Sequence, residues 1–359
     1  MDNQISKLAD RPFVLGYFLP SILFVVAFVS LHPDWLPGTS VSTAPIEKWS
    51  AFASVALYSW FIAILLALFN REMMRLIEGY YWPISRISFF RNREKNRFQR
   101  ITAKIHDLQN KKPLSSEQAL ELTDLWSTWL RNFPFEPHQI LPTRFGNALR
   151  AFESYSGRVY KADAVIIWPR LVSVIHKDYM SLLGDCRARV NFFVNLLYLS
   201  AVFGIHVLLV AAWRILVKSD ASRGEVEFFI LIFAASIVLS VFSYVCAVQQ
   251  AKAWGDLVKS AFDNYLPDLA KQLGYKLPDT LAKQQQFWLE VSQQATFHQS
   301  LKPENWQRAS ETNAKDSKTS PPLDGQIAKS TSETESENME TPNKPVISGE
   351  GDNPGSNQV

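Results

Sequence analysis

Residues Asn191–Trp213 read NFFVNLLYLSAVFGIHVLLVAAW, which is 23 residues in a row without Asp, Glu, Lys or Arg. About 20 predominantly apolar residues are enough for an α-helix to cross the hydrocarbon core of a bilayer. Three more stretches have the same character and contain 19 to 21 residues each: Phe13–Leu31, Ala51–Phe69 and Phe228–Val248. The chain is therefore predicted to be an all-α membrane protein with four transmembrane helices.

The four spans divide the 359-residue chain into five predicted parts. These are a transmembrane hairpin at 1–70, a mostly helical cytoplasmic domain at 71–190, a second transmembrane hairpin at 191–248, a cytoplasmic helical extension at 249–301 and a disordered tail at 302–359. The tail holds 6 basic and 10 acidic residues and few large apolar ones. It cannot bury enough apolar surface to offset its chain entropy, so it is predicted to be disordered.

Positive charge is concentrated on one side of the predicted spans. The segment Arg71–Lys112 has 11 Lys or Arg residues against 4 Asp or Glu residues, whereas the loop His32–Ser50 has a single Lys. Cytoplasmic loops of membrane proteins carry an excess of Lys and Arg, so Arg71–Lys112 is predicted to lie in the cytoplasm. Because the number of spans is even, both termini are predicted to lie there too.

Basic and apolar residues are interleaved over residues 86–112, where Ile87, Phe89 and Phe90 alternate with several arginines. This mixture is typical of an interfacial helix that lies against anionic lipid. An ordinary basic flank of a membrane span would have the same composition, and both interpretations stay open. Nucleic-acid binding is not expected, because the membrane alone accounts for the charge.

Regular apolar spacing continues beyond two of the spans. One stripe runs from Leu171 to Phe193 in steps of three and four residues, and another runs from Ala247 to Tyr265. Such spacing marks one face of a helix. Spans three and four are therefore predicted to extend as two antiparallel rods, and the rod over 171–213 would be roughly 65 Å long.

The spans contain small and polar residues at helical spacing. Ser200 and Gly204 lie on span three, and Ser236 and Ser240 lie on span four. Small faces let membrane helices approach closely, which fits packing within one chain, an oligomer interface or a pore lining. The intramembrane polar residues Asn195 and His206 are functional candidates, or else partners in hydrogen bonds between helices.

A polar stretch in the predicted domain supplies the candidate site. Arg150 and Glu153 are three residues apart, which brings opposite charges together on a helix. With their neighbours they are predicted to form either a buried network that fixes the fold or a ligand or nucleotide site. The candidate residues are Arg144, Asn147, Arg150, Glu153, Asp163 and Arg170.

The motif search gives no catalytic signature. There is no phosphate-binding loop of the Walker type and no nucleophile elbow. The six histidines are isolated and the two cysteines are not at metal-binding spacing, so no metal and no cofactor are predicted. The spans lack Asp, Glu, Lys and Arg, which counts against a secondary transporter but does not exclude a passive pore.

Four short motifs resemble features of a broad group of uncharacterised bacterial membrane proteins. They are Glu78-Gly79-Tyr80, the Pro-Thr-Arg-Phe-Gly-Asn stretch at 142–147, Trp168-Pro169-Arg170 and Ala261-Phe262-Asp263. The resemblance covers about residues 11–295 and lends no catalytic residue. It implies a location in a bacterial inner membrane.

Three functions are compatible with these observations. The first is a non-enzymatic membrane protein whose cytoplasmic helical domain binds a partner or ligand, as a scaffold, sensor or regulator. The second is a homo-oligomeric pore or permeability effector gated from the cytoplasm. The third is a membrane enzyme that acts on lipid headgroups with Glu153 or Asp163 and Arg144.

Overall fold

The computed structural model describes residues 10–32, 45–82, 85–111, 113–218, 222–298 and Trp306, all of which belong to the compact unit Met1–Asn313. Throughout these ranges the regular elements are helices. They are α1 (Arg11–Leu31), α2 (Pro45–Glu78), α3 (Ser88–Asn110), α4 (Ser116–Asn132), α5 (Arg144–Glu153), α6 (Tyr155–Val159), α7 (Ala164–Leu171), α8 (Lys177–Trp213), α9 (Arg223–Gln272) and α10 (Leu281–Phe297).

Helices α1, α2, α8 and α9 are long and apolar enough to cross a membrane. Each of the four predicted spans lies within one of them, which confirms an all-helical chain with four membrane-compatible helices. Helices α8 and α9 have 37 and 50 residues, or about 55 and 75 Å, so both extend well beyond their spans. The rod of α8 begins at Lys177 rather than at Leu171, because α7 ends at Leu171 and His176 has extended backbone.

Helices α8 and α9 pack against each other in antiparallel directions. Near the spans' centre, the hydroxyls of Ser200 and Ser240 lie 2.8 Å apart. A methyl group added at Gly204 would lie 2.3 Å from the hydroxyl of Ser236. Further along, the hydroxyl of Tyr179 donates to the carbonyl of Leu257 at 2.8 Å. The small residues of both helices therefore serve contact within one chain.

Helix α1 contains a π-helical turn at Val14–Phe18, directly before Pro20. Proline has no N–H to offer to the carbonyl four residues earlier, which is that of Gly16. The side-chain amide of Asn195 donates to this carbonyl at 2.7 Å. A methyl group at Gly16 would meet the Cβ of Asn191 at 3.2 Å, so α1 and α8 are close at this point.

The other helices form a domain at one end of the four spans, which we call the helical domain (residues 71–190 and 249–298). Its core surrounds the parts of α8 and α9 that extend beyond the predicted spans on this side. Its largest fully buried side chains include Phe145, Phe262, Phe287 and Trp288. Helix α1 starts at this end, where Arg11 pairs with Asp185 at 3.4 Å. The opposite end of the spans holds the contact between His32 and His206, 2.8 Å apart.

Helices α3 and α4 form a hairpin with a small core of its own. Phe98 and Ile105 of α3 pack with Trp129 of α4 and with the following Phe133. Helix α4 starts with a capping box, in which Ser115 and Gln118 exchange two hydrogen bonds. The middle of the basic stretch 86–112 thus packs on protein, while Phe89 near its start is exposed.

Trp306 is the one described residue of the segment predicted as a disordered tail. It is 8% exposed, its indole N–H donates to Glu290 at 2.7 Å, and its ring centre lies 5.3 Å from that of Phe287. The chain therefore still packs on the helical domain at Trp306. The rest of 302–359 lies outside the described residues.

Candidate functional site

Helix α5 begins against the end of α2. The hydroxyl of Thr143 accepts from the N–H of Gly146 and donates to the carbonyl of Glu78, both at 3.0 Å. Gly79 has a φ of 92°, a conformation that favours glycine. A methyl group would lie 2.5 Å from Pro142 if added at Gly79, and 2.4 Å from the carbonyl of Glu78 if added at Gly146. The two elements therefore touch through backbone.

On its other side α5 contacts α9. A methyl group at Gly255 would lie 2.5 Å from the ring of Phe152, and the rings of Phe152 and Trp254 are 5.1 Å apart. The N–H of Arg144 donates to the hydroxyl of Tyr244 at 3.2 Å. Helix α5 is thus held between two helices that continue into membrane spans.

A buried carboxylate lies beside the first turn of α5. The side chain of Glu94, on α3, is 5% exposed and pairs with Arg97 at 3.6 Å and with Arg144 at 3.7 Å. The amide of Asn147 donates to it at 3.4 Å and also exchanges hydrogen bonds with both backbone groups of Leu141. Burial lowers the pKa of Arg97, because the charged guanidinium has lost part of its hydration.

Glu94 was not among the residues predicted from the sequence. It is the only acidic residue between Arg86 and Lys104, a stretch with seven basic residues. In the sequence, the one sign of a special role for Glu94 is that it is a single carboxylate among many cations. Spacing alone did not place it beside residues some fifty positions later.

An exposed ion pair lies at the last turn of α5. Arg150 and Glu153 are 3.4 Å apart, and their side chains are 39% and 46% exposed. The guanidinium of Arg150 also lies 5.7 Å from the ring centre of Tyr80. Burial, and then the charge of Glu153, raise the pKa of Glu78 at the end of α2 to about 7. Partial burial raises the pKa of Glu153, and the charge of Arg150 opposes this shift.

The structure does not bring the six predicted site residues together. Arg144 and Asn147 join Glu94, whereas Arg150 and Glu153 form a separate pair. Asp163 caps α7, accepting from the N–H of Val165 at 2.9 Å. The guanidinium of Arg170 is exposed and donates to the carbonyl of Ile166 within the same helix.

The two polar candidates within the spans both have partners. The amide of Asn195 supports the Gly16 carbonyl described above, 2.7 Å away. The ring of His206 contacts His32 and lies 5.0 Å from the ring of Phe28. Each residue therefore joins α8 to α1.

The four motifs that carry the resemblance meet in two pairs. Glu78-Gly79-Tyr80 contacts the Pro-Thr-Arg-Phe-Gly-Asn stretch at 142–147 through the glycine contacts given above. Trp168 packs on Phe262 with ring centres 5.7 Å apart. Asp263 accepts from the hydroxyls of Tyr155 and Tyr160, and burial together with this carboxylate raises the pKa of Tyr160 to about 12.

The region where α5 meets α2, α3 and α9, which we call the junction, offers charged groups and hydrogen-bonding groups. Among the described residues, no group of three or more His, Cys, Asp or Glu side chains could hold a metal ion. No protein-family model, no curated protein and no solved structure matches this chain. The geometry of the junction is therefore the basis on which a function is assigned.

Proposed function

We propose that this chain is a non-enzymatic integral membrane protein of a bacterial inner membrane, whose helical domain binds a ligand or partner in the cytoplasm. The excess of Lys and Arg over Arg71–Lys112 supports the cytoplasmic orientation of the domain and of both termini. In this orientation the domain senses a cytoplasmic species and passes its bound state to the spans.

The observation that carries the proposal is the position of α5. Contacts too tight for a methyl group hold it against the end of α2 and against Gly255 of α9. It also carries Arg144 and Asn147, which contact the buried Glu94. A ligand that displaces α5 must move two membrane helices, because close-packed contacts transmit displacement.

The two alternatives rest on fewer contacts. The pore hypothesis relies on Ser200, Gly204 and Ser236, and these side chains pack between α8 and α9 of one chain. The lipid-enzyme hypothesis relies on Glu153 or Asp163 acting with Arg144. These three side chains have separate partners, namely Arg150, the start of α7 and Glu94.

The test uses full-length protein in nanodiscs and liposomes. A panel of soluble metabolites and lipids is screened by thermal unfolding, because a ligand of the native state raises Tm. We expect one ligand class to raise Tm, with ion flux and headgroup release no higher than in protein-free liposomes. Protein-dependent flux would support the pore, and protein-dependent headgroup release would support the enzyme.

The coupling is measured separately, with spin labels at Phe52 and Leu231. Both residues are exposed and lie on the halves of α2 and α9 far from the helical domain. We expect the ligand that raises Tm to change the distance between these labels. Binding without any change in that distance would contradict the coupling and favour a scaffold that does not move its membrane helices.

A further inference from the structure

Four helices each direct a cation to one region beside α5. Arg97 comes from α3, Arg131 from α4, Arg144 from α5 and Lys252 from α9. Arg97 and Arg144 share the carboxylate of Glu94. Arg97 also donates to Asn132, the neighbour of Arg131 in α4. On α9, Lys252 lies between Tyr244, which contacts Arg144, and Asp256, which pairs with Arg131. The four residues therefore converge, although they are far apart in the sequence.

Acidic side chains balance only part of this charge. Glu94 pairs with Arg97 and Arg144, while Asp256 pairs with Arg131 and, at 3.6 Å, with Lys259. The four cations Arg97, Arg131, Arg144 and Lys252, together with Glu94 and Asp256, carry a net charge of +2. Lys252 makes no ion pair within 4.0 Å to any residue in the described part of the chain.

Several of these cations are held in place. Arg97 donates to the side-chain carbonyl of Asn132 at 3.4 Å and lies 5.2 Å from the ring centre of Phe133. Lys259 donates to the carbonyl of Leu130 at 3.2 Å. Like charges fixed in a partly desolvated region repel each other more strongly than in water. An anion with several oxygen atoms would offset that repulsion without rearranging the side chains.

The region also lies close to the predicted membrane surface. Lys252 follows the end of the predicted fourth span, Val248, by four residues, or about 6 Å along the helix. Tyr244, which lies one turn before Val248 on the same helix, contacts the backbone of Arg144. Guanidinium groups match the geometry of phosphate oxygens, and basic sites at this depth bind anionic headgroups.

We propose that Arg97, Arg131, Arg144 and Lys252 form a binding site for a phosphate group, carried either by an anionic lipid or by a soluble phosphate compound. This inference rests on the proposed function and deepens it by naming the ligand class. A ligand bound to Arg144 would act directly on α5, because Arg144 belongs to that helix. Lys252 supplies the cation that makes no ion pair within 4.0 Å with any carboxylate in the described ranges.

The experiment compares full-length wild type with Lys252→Gln and with Arg170→Gln. The second is a control, since the side chain of Arg170 is exposed and its described hydrogen bond goes to the carbonyl of Ile166 within α7. Without added anion, Lys252→Gln should be at least as stable as wild type, because it removes an unpaired cation. Pyrophosphate is titrated against nanodiscs of phosphatidylcholine, and nanodiscs containing phosphatidylglycerol are measured in parallel.

We expect an anion-dependent rise in Tm for wild type and Arg170→Gln, and at least a tenfold weaker apparent affinity for Lys252→Gln. A pyrophosphate effect in phosphatidylcholine identifies a soluble ligand, and an effect of phosphatidylglycerol alone identifies a lipid headgroup. Equal responses of all three proteins, or no response to either anion, would overturn the site. If another ligand class raises Tm in the wider screen, the proposed function stands while this inference fails.

Discussion

Glu94 lies beside the first turn of α5 and Glu153 is the last residue of that helix, and their different surroundings lead to different expected losses of stability for the same substitution. Glu94→Ala would remove the partner of two arginines at a side chain that is only 5% exposed. The guanidinium of Arg97, which is 27% exposed, would then lack its carboxylate partner, and the loss of a hydrogen-bonded charged partner costs about 1.5–3 kcal/mol. Glu153→Ala would remove one half of an exposed pair, which contributes at most about 1 kcal/mol. Chemical unfolding of both variants checks this, and equal losses would contradict it.

Asn195 and Pro20 are expected to be energetically coupled through the carbonyl of Gly16. Asn195→Ala should lower the free energy of unfolding by about 1–2 kcal/mol, because that carbonyl loses its donor. Pro20→Ala supplies a backbone N–H in its place. In the Pro20→Ala background the loss should therefore shrink, by about 0.5–1.5 kcal/mol. Strictly additive effects in the double-mutant cycle would disprove the coupling.

Tyr160 is expected to make the stability of the fold depend on pH in the alkaline range. Its folded-state pKa of about 12 lies above the ordinary value of 10.0, chiefly through burial and then through Asp263. The unfolded chain therefore loses this proton first, and the associated stability is present below pH 10 and lost as pH rises toward 12. Between these values the stability of wild type should fall more steeply than that of Tyr160→Phe. Parallel pH profiles would argue against the shift.

At the scale of elements, two glycine substitutions should have opposite effects. Gly146→Ala places a methyl group 2.4 Å from the backbone carbonyl of Glu78, so α2 or α5 must move. We expect a loss of about 1–3 kcal/mol. Gly157→Ala in α6 meets its nearest atom at 3.8 Å and should be neutral or stabilising by up to about 1 kcal/mol. Thermal unfolding of the two variants decides, and equal midpoints would contradict the tight α2–α5 contact.

Sequence patterns predicted the elements where one physical signal dominated. Long apolar runs located the four membrane-compatible helices. The run Ala164–Trp168 contains three β-branched residues, which favour strands, yet it lies in α7, whose start Asp163 caps. Leu171 and Ile175 continue the apolar stripe, yet the chain turns between α7 and α8, since burial alone does not fix backbone conformation.

The candidate site was harder to predict for a related reason. The residues of α5 were identified as a polar cluster, but their partners come from distant segments such as Glu94, Glu78 and Tyr244. Periodicity describes a single helix and says nothing about which helices meet. Trp306 shows the same limit, because one aromatic residue in a polar segment gives too weak a composition signal to predict its contact with Phe287.

The described residues form a helical domain at one end of four membrane-compatible helices, and the proposed function depends on this domain facing the cytoplasm. Gly157 belongs to the helical domain, whereas Gly224 lies at the opposite end of the spans. Labels at these two positions therefore test which side of the membrane each end of the spans faces. A side chain at Gly224 meets no atom within 4 Å, and one at Gly157 meets only an ordinary contact. Cysteine is therefore tolerated at both positions.

The most direct measurement is cysteine accessibility in intact cells, with Cys186 and Cys246 replaced by serine. A membrane-impermeant maleimide added outside should label Gly224→Cys and leave Gly157→Cys unlabelled until the cells are opened. Inside-out vesicles should give the reverse pattern. Labelling of Gly157→Cys from outside, or of both positions from the same side, would contradict a cytoplasmic domain carried by four spans.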